Sequence, residues 1–334
     1  MNNISTIRKL EKDDLFTLND TEKWQFLKNP FVPDFSSCRL SSVVGSKVVG
    51  RIKNVFVELK KLDRVVLARC GGDFNVNNRY RGRGVRLFKC WMEIPYYPYF
   101  GFPNKRAFLL ETHLGVYHLG TVLVRFRILD MKKYLMRRIN NGLFVRLGDA
   151  LWKAASALLF ERSVIHRDIA IEIIDRFDRR FDEFWKAISD EYKIVVVRDS
   201  RYLNWRFADS PRRHSIRAAK RGEKVTGYVV LFKNKIEDML LGHIVDLMVK
   251  AGDAETLDAL VSEALSYFKK EGCVKACCAL LTAARPYHAV LTKRGFIGRR
   301  VSSYLAGYSD NAEDLALMKN PNNWFVTFAD NPDF

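Results

Sequence analysis

The chain has 334 residues, too many for one average domain. It is 48% hydrophobic and 13% aromatic, which is enough apolar side chain to fill real cores and excludes wholesale disorder. Its 56 Lys+Arg against 38 Asp+Glu give a formal charge of +18, and residues 1–135 hold 24 of the cations but only 12 of the acids. That excess suits an anionic ligand of the first half, whether a phosphorylated cofactor, a nucleic acid or an acidic glycan, or else it serves solubility.

The opening MNNISTIRKLEKDD has no apolar leader core. The most apolar helical stretch, 147–160, is too short to span a bilayer. We therefore expect no membrane span. Next, 37–59 alternates apolar and polar residues around a glycine turn, as a hairpin does. Residues 64–76 read as a strand, 84–94 as a helix, 96–102 as a strand, 104–115 as a helix ending on Gly115, and 116–129 as a strand. A largely helical stretch, 136–186, follows, with further helices at 177–192 and 200–207.

The order then recurs. A hairpin over 214–234 precedes a strand at 240–250. A strongly amphipathic helix at 253–272 starts on Asp253 as N-cap. A buried strand at 274–281, a helix at 285–295 and strands at 296–308 and 323–330 complete the chain. We read a duplicated β-β-β-α-β-α-β unit. Its parts are an N-terminal domain over 1–135, a helical connector over 136–186 and a C-terminal domain over 187–334. The six cysteines (Cys38, Cys70, Cys90, Cys273, Cys277, Cys278) form no CxxC and no Cys/His spacing that suits zinc. No metal is expected, and the setting reads as a reducing cytoplasm.

The run Asn77-Asn78-Arg79-Tyr80-Arg81-Gly82-Arg83-Gly84-Val85 lies between a predicted strand and a predicted helix. Glycines there let backbone approach a ligand, the first helical N–H groups point at it unpaired, and arginines add contacts, so the run reads as a phosphate cradle. No Gly-Lys-Ser/Thr follows, so it is not a Walker loop. Its spacing, R-x-x-G-x-G, is not the dinucleotide fingerprint either.

Here the sequence resembles the GNAT acyltransferase superfamily, whose acetyl-CoA loop is V-x-P then Q/R-x-x-G-x-G/A. Val76, Arg79, Gly82 and Gly84 match, with Asn78 in place of proline. A second block, N-x-x-A-x-x-x-Y-x-x-x-G-F, is met by Asn104, Ala107 and Gly115, with Val116 for Phe and Glu111 where the family has Tyr. Asp199 to Phe207 is similar to a block of tandem-GNAT proteins of bacteria and archaea, which resemble polysaccharide-type acetyltransferases.

The resemblance implies an α/β (α+β) fold of two tandem GNAT-like domains, each a mixed, mostly antiparallel sheet flanked by helices. It implies acetyl-CoA, or another acyl-CoA, as co-substrate. The pyrophosphate would lie on Arg79, Arg81, Gly82, Arg83, Gly84 and Val85. The pantetheine arm would pair with Phe74, Asn75 and Val76, and Asn104 would touch its thioester end. The second copy has Lys250-Ala251-Gly252-Asp253-Ala254-Glu255 at the matching turn, and those carboxylates repel phosphate.

Transfer needs a base, an oxyanion donor and an acid for the thiolate. Asp73 is the acid on the strand before the loop, Glu111 stands at the family's tyrosine, and Tyr99, with Tyr96 and Tyr97, flanks the cofactor strand. Each also has a plain alternative: turn carboxylate, exposed helix face or core ring. His113, His118, His243 and Asp246 are weaker candidates. Tyr202, Trp205 and Phe207 read as a pocket wall or as anchors of the second half. His166-Arg167-Asp168 resembles a kinase loop by chance, because its partner motifs are absent. The expected activity is N-acyl transfer, acetyl above all, to an amine of a small molecule, sugar or glycan precursor. The alternatives are a Fem-type aminoacyl-tRNA-dependent ligase, with nucleic acid as partner, or a non-catalytic CoA-binding scaffold.

Overall fold

The computed structural model describes residues 5–80, 82–95, 98–160 and 166–334. In chain order these form β1 (Thr6–Lys9), α1 (Asp20–Phe26), β2 (Arg39–Val44), β3 (Lys47–Lys61), β4 (Arg64–Val76), α2 (Arg83–Met92), β5 (Tyr99–Gly101), α3 (Lys105–His113), β6 (Tyr117–Ile128), α4 (Met131–Met136) and α5 (Gly142–Leu159). Then come β7 (Ala170–Ile174), α6 (Arg179–Ile188), β8 (Ile194–Val196), α7 (Ser200–Leu203), β9 (Ser215–Arg221), β10 (Lys224–Ile236), β11 (Met239–Val249), α8 (Ala254–Lys270), β12 (Lys275–Leu281), α9 (Arg285–Lys293), β13 (Gly298–Tyr308) and α10 (Ala312–Met318). The series β2-β3-β4-α2-β5-α3-β6 repeats as β9-β10-β11-α8-β12-α9-β13, the predicted duplication.

Among the described residues the thirteen strands make one sheet, in the order β1-β2-β3-β4-β5-β13-β6-β12-β11-β10-β9-β7, with β8 on β3. Each half's last strand sits in the other half. β13 lies between β5 and β6, while β6 pairs with β12 over Val122↔Leu281 to Ile128↔Lys275. This exchange knits the halves through backbone hydrogen bonds. The close approach of β13 to β5 needs a glycine: a Cβ on Gly307 would sit 2.6 Å from the Tyr99 carbonyl oxygen.

Two elements differ from expectation. Residues 136–186 hold α5 and most of α6, but also β7. Residues 323–330 are not a strand. They make single bridges, Ile194↔Trp324 and Leu280↔Thr327, and end in a 3-10 turn, Phe328–Asp330. The run Trp324–Ala329 is buried throughout rather than on alternate residues, so it packs as a wedge.

Two apolar clusters fill the interior. The larger spans both halves. The smaller gathers Leu40, Ile52, Leu87, Phe88, Trp91 and Tyr99 under α2, beside the predicted cofactor loop.

Candidate active site

Strands β4 and β5 run parallel only over Arg69↔Tyr99, Cys70↔Phe100 and Gly71↔Gly101. Beyond Gly71 they part. Opposite β4, Lys53 faces Gly72 and Arg51 faces Asn75, so Asp73 and Phe74 together face Ile52. That is a β-bulge, and Asp73 takes φ 46° to make it. The bend turns β4 away from β5. Residues Phe74–Val76 keep β3 on one side and have no strand on the other among the described residues. Such an edge can pair with the amides of an extended ligand.

The edge leads to the N-terminus of α2. Its N-cap, Gly82, has φ −59° and ψ −17° and offers no side chain of its own to the first turn. The edge thus ends at a helix N-terminus, whose dipole favours an anion. Space around Gly82 is open. Gly84 is buried against Val76 and Phe74, where a Cβ would lie at 3.4 and 3.5 Å. Arg79 is exposed, and its N–H donates to Asn77 Oδ1 at 3.0 Å. Arg83 stacks over Tyr80 at 5.7 Å, and Val85 is exposed. Arg81 lies outside the described residues. A groove lined by Phe74, Asn75, Val76, Gly84, Asn104 and Ala107 joins this cradle to the α3 N-terminus. Asn104 is the N-cap there, its Oδ1 accepting from Arg106 and Ala107.

Inward, a cavity of about 240 Å³ opens in the splay. Phe88, Trp91 and Tyr99 wall it, and Asp73, Glu111 and Asp333 reach it. Tyr99 is buried, edge-on to Trp91 at 4.8 Å, stacked on Tyr308 at 5.9 Å and covered by Arg69 at 5.0 Å. Tyr96 and Tyr97 lie outside the described residues. Asp73 pairs with Arg51 at 2.6 Å. Glu111 makes no side-chain hydrogen bond or ion pair among the described residues, and burial pushes its carboxyl up to about 8. A carboxyl so placed still holds its proton at neutral pH.

Asp333 was not foreseen. It belongs to segment 324–334, which returns from the second half. Arg206 donates to the carbonyls of Ala329 (2.9 Å), Asn331 (3.0 Å) and Phe334 (3.3 Å), and Gln25 donates to that of Pro332 (2.7 Å). Asp333 then pairs with Lys53 at 2.8 Å. No local motif marks it; only the polar DNPD run among apolar neighbours hints at exposure.

The second half has the same splay, where β11 and β12 are parallel from Leu241↔Lys275 to Ile244↔Cys278. There the β11 edge is engaged. The Val249 N–H donates to the Tyr287 hydroxyl at 3.3 Å, and the Tyr192 hydroxyl donates to the Val249 carbonyl at 3.2 Å. Phe325 packs on both rings, at 4.9 and 5.2 Å. The turn amides are engaged too: Ala251 N–H donates to Glu191 at 2.6 Å, and Asp253 caps α8 through Thr256.

The remaining candidates fall outside the cleft. His113 is exposed at the end of α3, and His118 lies edge-on to Phe108 at 5.3 Å. Tyr202, Trp205 and Phe207 are buried anchors; Trp205 stacks on Trp24 at 5.2 Å. Asp246 is fully buried against Arg198 at 3.0 Å, and the His243 Nε2–H donates to Asn234 Oδ1 at 2.8 Å, with burial lowering the imidazole to about 4. Asp168 pairs with Arg221 at 2.7 Å, as a surface ion pair.

The chain carries twice a β-β-β-α-β-α-β unit in which a strand parts from its parallel neighbour beside a helix N-terminus, the arrangement of the GNAT fold. Solved structures agree. The GCN5-related N-acetyltransferase from Anabaena variabilis shares 10% identity at a TM-score of 0.57, covering 91% of this chain and 72% of that one. A putative acetyltransferase from Pyrococcus horikoshii shares 12% at 0.54, covering 97% and 94%. Saccharomyces cerevisiae N-myristoyltransferase, solved with bound myristoyl-CoA and inhibitors, shares 10% at 0.60, covering 92% and 80%. No protein-family model matches the chain, and no curated protein matches it.

Proposed function

We propose that this chain is an acyl-CoA-dependent N-acyltransferase with one cofactor site, built by residues 1–135. The observation that carries this reading is the β4–β5 splay, running from the α2 N-terminus to a cavity that holds Glu111. The 136–186 segment connects, and 187–334 acts as scaffold that lends β13 and Asp333 to the first site. Its own strand edge is engaged by Tyr192 and Tyr287, and its turn carries carboxylates that repel phosphate, which favours a single cofactor site per chain.

Coenzyme A would supply the acyl group as a thioester. The N-terminus of α2, with Arg79, suits its pyrophosphate. The edge Phe74–Val76 and Asn104 suit its amide-bearing arm. The cavity of about 240 Å³ under Trp91 favours a short acyl group, acetyl above all. A second cleft, lined by Asp20, Glu22, Asp73 and Asp333 together with Arg51, Lys53 and Arg212, shares Asp73 and Asp333 with the cavity and suits an acceptor that carries an amine beside other polar groups. The amine nitrogen forms a bond to the acyl carbon and the carbon–sulfur bond breaks. Two protons leave the nitrogen: one passes to the Asp73 or Asp333 carboxylate and on to solvent, and the other replaces the proton that Glu111 gives to the leaving sulfur. Backbone amides of the β4 edge face the developing oxyanion.

Calorimetry with CoA and acetyl-CoA tests the reading. One site per chain is expected. Gly82→Asp places a negative charge in open space without strain and should weaken binding by about tenfold or more. Gly82→Ala should bind as the parent does. Failure of the parent to bind any acyl-CoA overturns the proposal.

A further inference from the structure

Helix α5 shows two unlike faces. Its inner face packs on α4 and on the helix's own end: Val145 is buried, Gly148 sits under the Leu135 side chain of α4, and Trp152 packs edge-on to Phe160 at 6.0 Å. Its outer face carries Leu143, Phe144, Leu147, Leu151 and Leu158, each at least half exposed and Leu158 86% exposed. At about 100° per residue these five fall within an arc of about 100°, pointing away from the body. Apolar side chains so concentrated mark a surface that something covers.

Charge tells what covers it. Residues 131–159 contain six cations (Lys132, Lys133, Arg137, Arg138, Arg146 and Lys153) against one acid, Asp149. Asp149 pairs with Lys153 at 2.8 Å, Lys133 meets Asp130 at 3.6 Å, and Arg137 pairs with Glu237. Lys132 and Arg146 have no ion pair among the described residues, and both are exposed. Arg146 and Lys153 flank the apolar stripe along its solvent side. A second copy of this helix would bring like charges together. An acidic, flat, apolar-cored surface complements both features.

We propose that α4 and α5 form an interfacial lipid-binding element, with the α5 outer face seated among the acyl chains of an anionic phospholipid surface and the flanking cations on its headgroups. The helix lies in the plane of that surface. It is not a span: none of the described helices is long and apolar enough to cross a membrane. Binding of this kind grows with apolar area and with headgroup charge. The proposal does not depend on the acyltransferase reading.

Co-sedimentation of the full chain with vesicles tests it. One set is phosphatidylcholine alone; the other includes about a third phosphatidylglycerol. Binding is expected to the second set, weakened by salt. The double variant Leu147→Glu, Leu151→Glu should lower partitioning by about tenfold or more, with the thermal melt unchanged because both side chains already face solvent. Arg146→Glu should lower it less. No binding to the anionic vesicles overturns the proposal, as does binding that the double variant leaves intact. A concentration-dependent dimer that the double variant abolishes, without vesicle binding, assigns the face to a second copy instead.

Discussion

The Asp333 carboxylate accepts the backbone N–H of Asp73 at 3.1 Å, joining positions 260 residues apart. Asp73 is the bulge residue that opens the cleft, so the segment from the second half locks the geometry of the first half's site. Asp333 thereby has two roles, an acceptor for the bulge amide and a carboxylate at the acceptor end of the cavity. Asp333→Asn separates them, because an amide oxygen still accepts the N–H but takes no proton. Turnover with acetyl-CoA and an amine panel should fall by about 10²-fold in this variant. Its CoA affinity by calorimetry should match the parent's. Full turnover in Asp333→Asn would leave the residue only a positioning role.

Glu111 gives a pH signature. Burial raises its carboxyl to about 8, well above its ordinary value of 4.5. Between those two values the native chain keeps a proton that the unfolded chain has lost. Stability therefore falls as pH rises through that window, by up to about 1.4 kcal/mol per unit and less where solvent screens the group. Glu111→Gln should flatten this slope in denaturant melts taken from pH 5 to pH 8. In turnover, kcat/KM should decline on the alkaline side with an apparent midpoint near 8 as the acid form is lost. The Gln variant should lack that limb and run at a lower plateau. An alkaline limb that survives in Glu111→Gln would assign the acid elsewhere.

What could be read beforehand follows the range of the interactions. The strand over 64–76, the glycine-arginine turn and the helix after it depend on neighbours in sequence, and so does the Asp253 cap of α8. These were legible. The exchange of β6 and β13 was not, because both read as ordinary strands and their partners are set by packing across the whole chain. Segment 323–330 looked like a strand from its apolar run alone. Its burial on every side, in the β11–β12 splay, is a tertiary fact. Asp333 was invisible for the same reason. Glu111 was visible as a departure from a motif, but its raised pKa comes from the cavity around it, which no spacing encodes.

Tyr287 and Tyr192 hold the two polar groups of Val249 that an intact cofactor edge would offer to a ligand. Tyr287→Phe leaves the Val249 N–H without its acceptor in a buried place. The variant should lose about 1–2 kcal/mol in urea unfolding. It should gain no second CoA site, because Glu191 still accepts the Ala251 amide and the turn keeps its carboxylates. A calorimetric stoichiometry of two in this variant would contradict the single-site reading.

Gly307 tests whether the strand exchange serves the site. A Cβ there would meet the Tyr99 carbonyl oxygen at 2.6 Å and the Phe100 Cα at 3.2 Å, both backbone atoms that cannot step aside. Relief requires β13 to move off β5, and β5 carries the Tyr99 wall and the Gly101 edge of the cavity. Gly307→Ala should therefore cost about 1–3 kcal/mol of stability. It should also weaken acyl-CoA binding more than free CoA binding, because the disturbance lies at the acyl end and not at the α2 cradle. Equal loss for both ligands would mean that the strain spreads through the whole cleft rather than through its wall.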